Sequence, residues 1–217
     1  MNSNGFEALD LIDGHAHLHE IDPIEQTLER AAAAGVNRII AVGMDHPTNK
    51  KTLELAKKFP GRVYPAIGYH PWSIREKELE KTVAFLESKI DDCVAVGEVG
   101  LDYKVKVKKP LQREVFSIVI AIAKKKNKPL IIHTRFSQER AFKMVDEAGI
   151  EKAVFHWYSG PEDILEKILS AGYFISATPA LARSKSHRAA ILKAPLDQIL
   201  VETDAPVKYQ FKTSEPA

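Results

Sequence analysis

The chain has 217 residues, 45% hydrophobic and 28% charged, and a net charge of only +2, which describes a folded globular chain and excludes an intrinsically disordered one. A polyanionic substrate is permitted by that charge but not demanded by it. The single cysteine, Cys93, excludes an internal disulfide framework; with no bilayer-length apolar run and no signal-peptide pattern in Met1–Asp10, the expectation is a cytoplasmic chain with no membrane partner, folded as one domain over 1–217.

Short β-branched runs alternate with helix-period segments from end to end. Strands are predicted at Leu11–His17, Arg38–Gly43, Val63–Tyr69, Val94–Val99, Leu130–Thr134, Ala153–Trp157, Tyr173–Ala177 and Ile199–Thr203. Helices are predicted between them at Pro23–Ala34, Lys50–Phe59, Ile74–Ile90, Leu111–Lys126, Glu139–Ala148, Pro161–Ala171 and Ser184–Lys193. Strict alternation implies a parallel sheet with helices outside it, and runs such as "RIIAVG" and "PLIIHT" are apolar on both faces, as a doubly covered sheet requires. Eight such strands predict a closed TIM-like (β/α)8 barrel, with an open doubly wound sheet as the alternative. No Gly-rich phosphate fingerprint follows the first strand, which argues against a dinucleotide-binding fold. Only 13 residues follow Asp204, too few for a full eighth helix. The last helix is therefore expected to be shortened or missing. One flank would be thinly covered, unless the N-terminal residues or a second copy of the chain cover it.

Polar residues with metal-binding side chains recur at the predicted C-terminal ends of strands, where barrels of this type carry their active sites. In Leu11-Ile12-Asp13-Gly14-His15-Ala16-His17, alternation puts His15 and His17 on one face, with Asp13 deeper on the same face in a hydrogen-bonding role. Surface or hydrogen-bonded histidines are the competing reading of this pair. Glu98 stands among apolar neighbours, where a carboxylate must be paired or bound to a cation. His133 and His156 follow apolar runs on successive strands, and Asp204 follows the last. Four imidazoles and two carboxylates exceed what one tetrahedral site needs. They suit two divalent ions sharing a carboxylate, with zinc or manganese fitting these nitrogen and oxygen donors better than magnesium. His19 is placed just beyond the pair, whereas His46 and His187 are expected to be solvated.

The segments "LIDGHAHL", "AIGYHP", "VAVGEVGLDY", "KPLIIHTR", "AVFHWYSG" and "ILVETDAP" run in order from residue 11 to residue 206. Together they resemble the TatD family of metal-dependent hydrolases, within the amidohydrolase-like barrels. The resemblance implies His15, His17 and Asp204 at a first metal, Glu98 bridging, and His133 and His156 at a second. It implies zinc, manganese or magnesium as the ion. It also implies that His70 lines the substrate side, that Arg135 meets a phosphate oxygen, and that the reaction is cleavage of DNA phosphodiester bonds at single-stranded or frayed ends. His19, Trp72 and Ala205 depart from the family's usual aspartate, histidine and serine. A longer C-terminal helical segment is also missing. These departures touch substrate choice more than hydrolysis.

In the mechanism expected from this reading, Asp204 accepts a proton from the attacking water, while Arg135 and a protonated His70 stabilise the developing negative charge. Trp72, Tyr103, Trp157 and Tyr158 are rim aromatics able to stack bases, with loop packing as the competing reading. Lys104, Lys106, Lys108 and Lys109 form a basic run on the active-site side, to be read as a phosphate guide or a solvated charge run. Lys124–Lys126 with Lys128 closes a helix at the opposite pole. Two other readings keep the ligands: hydrolysis of carboxylic esters or amides, such as an aminoacyl-tRNA ester or a cyclic amide, and a metal-stabilised binding protein without catalysis.

Overall fold

The computed structural model describes residues 10–209 and the backbone of 212–213. Eight strands, β1 (Leu11–Ala16), β2 (Val36–Val42), β3 (Val63–Ile67), β4 (Ala95–Asp102), β5 (Leu130–Arg135), β6 (Ala153–Phe155), β7 (Phe174–Ala177) and β8 (Ile199–Val201), pair in chain order, each parallel to the next. Helices α1 (Ile24–Ala33), α2 (His46–Lys58), α3 (Leu79–Lys89), α4 (Lys109–Lys125), α5 (Gln138–Glu147), α6 (Glu162–Ser170) and α7 (Lys185–Lys193) fill the crossovers. The result is a nearly closed TIM-like barrel, as expected. A two-residue strand β9 (Lys208–Tyr209) pairs antiparallel with β10 (Lys212–Thr213) after it.

Local chemistry sets the element ends. α2 starts four residues earlier than the hydrophobic period predicts, because Asp45 and Thr48 form a reciprocal capping box, with Pro47 in the first turn. α3 is shorter than its predicted span. Its N-terminal side is taken up by Arg75, whose N–H donates to the Tyr69 hydroxyl at 2.8 Å. α4 buries Gln112, Val115, Phe116, Val119, Ile120 and Ala123, spaced three and four apart on one face.

The barrel closes at a seam without a full ladder. The Asp204 N–H donates to His15 O at 2.9 Å, and the His17 N–H donates to Ala205 O at 2.7 Å. Asp13 Oδ1 accepts the Thr203 N–H at 3.0 Å, and Oδ2 accepts the Thr203 hydroxyl at 2.5 Å. Gly14 allows the approach, since a Cβ there would stand 3.0 Å from Val201 O. Among the described residues no helix follows β8, and Ile12, Leu200 and Val201 remain exposed on that flank. Residues 1–9, the other expected cover, lie outside the described residues.

Candidate metal centre

β4 runs to Asp102, three residues beyond the predicted end, and continues its pairing with β5 through Asp102 and Arg135. Glu98 therefore lies within a strand, not at its end. The β4–β5 register is irregular between Val96 and Val99, and this turns Glu98 into the polar layer above the apolar interior of Val42, Ala66, Ala95 and Ile131. Ile131 and His133 share a face of β5 two residues apart. A Cβ at Gly100, whose φ is +139°, would stand 2.1 Å from His133 O, so only glycine lets β4 and β5 approach here.

The six expected ligands come together with Glu98 at their centre. Glu98 Oε2 lies 3.4 Å from His15 Nε2 and 3.3 Å from His17 Nε2. Asp204 Oδ1 lies 3.5 and 3.6 Å from the same two nitrogens, which are 3.3 Å from each other. Glu98 Oε1 faces His133 Nδ1 and His156 Nε2, each at 2.9 Å, and His70 Nε2 at 3.2 Å. Glu98, Asp204 and four of these five histidines are buried, and His133 is partly so.

The donors show whether a cation fits. His17 Nδ1 is 3.1 Å from Val42 O, so its proton sits there and the Nε2 lone pair faces Glu98 and Asp204. Four ligand atoms at 2.0–2.1 Å round a tetrahedral ion stand about 3.3–3.4 Å apart. Five of the six separations among His15, His17, Glu98 and Asp204 run from 3.3 to 3.6 Å, close to that spacing. In the second set His156 Nδ1 is 3.2 Å from Glu202 Oε1, and His133 Nε2 is 3.3 Å from Asp102 Oδ2. Carboxylates behind both rings leave the inward nitrogens facing Glu98 Oε1, an arrangement that requires a shared proton or a cation. Three triads, His15 with His17 and Asp204, His15 with Glu98 and His156, and His70 with Glu98 and His133, each bring their ligand atoms within 4.8 Å of one another, so the residues fit a divalent cation.

Titration follows the same geometry. Burial pulls the His156 pKa down, but Glu98 and Glu202 more than offset it and hold it well above the usual histidine value. Burial likewise opposes the Glu98 charge, yet the surrounding imidazoles hold its pKa well below the carboxylate range. Desolvation raises Asp204, against the pull of His15, His156 and His17. A raised carboxylate suits a proton acceptor.

His70 does not fit the protonated role expected of it. Its Nδ1 accepts the Trp72 N–H at 3.2 Å, so Nε2 carries the proton and donates to Glu98. Burial lowers its pKa to about 4, which makes it neutral at pH 7. It lines the cavity, but its bond is to Glu98. His19 is buried against His17, with ring centroids 5.5 Å apart. His46 and His187 depart from the solvated positions expected of them, because both rings find packing partners. His46 is half-buried and lies edge-on to Phe85, and His187 is fully buried, with Nδ1 2.7 Å from Tyr158 O.

An open cavity of about 630 Å³ leads to the cluster, lined among others by His17, Trp72, Glu98, Arg135, Trp157 and Asp204. Of the expected rim aromatics, Trp72 and Trp157 line this cavity, but Tyr158 is fully buried and Tyr103 is half-buried beneath Lys109. Tyr158 is removed from any stacking role by burial. Lys104, Lys106, Lys108 and Lys109 are all exposed, three of them on the β4–α4 loop and Lys109 at the start of α4.

Sequence reasoning missed Asp102 and Glu202. Trp72 Nε1 donates to Asp102 Oδ2 at 2.6 Å, and Gln112 holds both the N–H and the carbonyl of Asp102 at 2.8 Å. Both acids were visible as carboxylates within "GLDY" and "VETD", but nothing in spacing tells an outer carboxylate from a ligand.

The family described as TatD related DNase matches residues 12–217. The uncharacterized metal-dependent hydrolase YabD of Bacillus subtilis is 32% identical, covering 95% of this chain and 86% of its own. Human deoxyribonuclease TATDN3 is 30% identical, covering 90% and 78%. YjjV, a TatD homolog from Escherichia coli K12, has a solved structure that superposes with a TM-score of 0.85 at 28% identity, covering 97% and 86%.

Proposed function

From the premise that this chain belongs to the TatD family of metal-dependent hydrolases, we propose that it hydrolyses phosphodiester bonds of DNA at single-stranded or frayed ends, using two divalent cations. The observation that carries this reading is the divided Glu98 carboxylate, with Oε2 among His15, His17 and Asp204 and Oε1 among His133 and His156. His15, His17, Glu98 and Asp204 would hold one ion, and Glu98, His133 and His156 the other, with zinc or manganese as the best match to these donors. When bound, such ions supply Lewis-acid polarisation and a lower pKa for water.

The chain's own residues do the rest. Asp204 takes the proton of the attacking water at Oδ1 or Oδ2. Arg135, on the cavity wall, binds a non-bridging phosphate oxygen. His70 donates Nε2–H to Glu98 and fixes its orientation. Asp102 and Glu202 hold the rings of His133 and His156. Phosphodiester is preferred to carboxylic ester or amide because Arg135 lines the cavity, with Lys104 Nζ 5.9 Å from the ring of the adjacent Phe136, and because the human relative is named a deoxyribonuclease.

The test incubates manganese- or zinc-loaded protein with single-stranded DNA and, separately, with aminoacyl esters. DNA cleavage that disappears in Glu98→Ala is expected. Ester turnover without DNA cleavage overturns the phosphodiester assignment. Bound metal with no turnover of either substrate favours a binding protein.

A further inference from the structure

One residue beyond Arg135, the chain does something that folding alone disfavours. Phe136 has φ +54°, a left-handed conformation that bulky side chains rarely adopt, and its ring is 70% exposed. Backbone strain counts against the folded state, and a ring left in water gains no burial to offset it. The turn is held firmly: Arg135 N–H donates to Ser137 Oγ at 3.2 Å, and that hydroxyl donates to Leu101 O at 2.5 Å. The backbone that carries the ring is thus held on either side, next to Arg135 on the cavity wall.

Its surroundings are cationic. Lys104 Nζ, from the neighbouring loop, stands 5.9 Å from the ring centroid, and Arg135 precedes it on the cavity wall. Among the described residues, the other large exposed apolar side chains are Leu192, Leu196, Leu200 and Val201 on the α7–β8 flank, smaller exposures at Ile12 and Val94, and Trp72, which is tied to Asp102. A lone aromatic face flanked by cations does not resemble a protein interface, which needs a contiguous apolar core. It matches the pairing of a stacking platform with phosphate-neutralising charge found where single strands bind.

We propose that Phe136, with Lys104 and Arg135, forms a subsite for one unpaired nucleobase of a single-stranded nucleic acid, beside the phosphodiester that is cut. The subsite rests on the phosphodiesterase reading. Phe136 stacks on the base face, and the two cations meet the flanking phosphates. Because every base offers a π-face, the subsite tolerates sequence but demands an unstacked base. It therefore discriminates against duplex.

The test is steady-state cleavage of a short single-stranded oligonucleotide by the metal-loaded protein, against the same oligonucleotide carrying one abasic residue near the cut. Asn tolerates the left-handed conformation, so Phe136→Asn folds and its Tm is expected to be equal or higher. Its KM for the intact strand is expected to rise about tenfold, with kcat changing by less than about twofold. Phe136→Tyr restores the KM. The abasic strand raises the wild-type KM by a similar factor and adds little in Phe136→Asn. If the wild type cleaves DNA but neither Phe136→Asn nor the abasic residue moves KM, the subsite is overturned and the phosphodiesterase reading stands. If the wild type cleaves no DNA at all, both fall.

Discussion

The two halves of the site are built differently, although one carboxylate serves both. Around Glu98 Oε2 the neighbouring nitrogens and the Asp204 oxygen stand 3.3 to 3.6 Å apart, too far for good hydrogen bonds and right for an ion in the middle. Around Oε1 the two imidazoles close to 2.9 Å, with Glu202 and Asp102 behind them. The first half keeps its spacing because backbone holds it. His15 and His17 lie at the end of a strand, Asp204 is pinned by its N–H to His15 O, and His17 is oriented by a carbonyl. The second half is oriented by side-chain carboxylates, Glu202 beside His156 and Asp102 beside His133. An ion proposed there would depend on those two acids to orient the rings that hold it.

The comparison breaks most severely at Glu98, the residue common to both halves. Glu98→Ala should abolish both ions, and the activity loss should exceed the roughly 100-fold that losing an outer partner costs; metal content and turnover on the same preparation check it. Asp204→Asn should separate the halves, lowering kcat by about 10²- to 10⁴-fold while one ion per chain remains. Glu202→Gln should weaken the second ion by about 10- to 100-fold and leave the first unchanged, read by competition with a chelator.

Two smaller effects concern the frame. Asp13→Ala leaves the Thr203 N–H and hydroxyl without their acceptor at the seam, and should cost about 2–3 kcal/mol in stability with Asp204 displaced. A chemical denaturation curve measures it. His187, behind the His156 loop, accepts the Thr178 N–H at 3.2 Å and is held neutral by burial, which lowers its pKa. A histidine with a lowered folded pKa contributes stability that is fully present above its unfolded value of 6.5 and declines as pH falls below it. His187→Gln should remove that part of the acid-side slope, at most about 1.4 kcal/mol per pH unit.

Much of this was legible in the chain. Alternating β-branched and amphipathic runs located eight strands and seven helices, because each strand needed apolar side chains on both faces and each helix on one. The candidate cluster was legible because a histidine or carboxylate in an apolar strand is costly to bury without a partner, and six of them recur at one end of the barrel. The Glu98 position within β4 was not, since the register irregularity depends on pairing with β5. The His70 tautomer was hidden for a similar reason, being set by a backbone N–H two residues away in a loop. Tyr158 read as a rim aromatic because it follows His156, yet its ring is turned inward and its hydroxyl donates to Pro161 O at 2.6 Å. Phe136 escaped notice because a positive φ leaves no mark in a non-glycine sequence.

The central proposal is that Glu98 would join two ions of unequal support. Metal content of protein dialysed against zinc or manganese, measured for wild type and for Glu202→Gln under limiting chelator, tests it most directly. The account predicts two ions per chain in the wild type, with one lost first in the variant. A single ion per wild-type chain, or equal loss of both in Glu202→Gln, would contradict it.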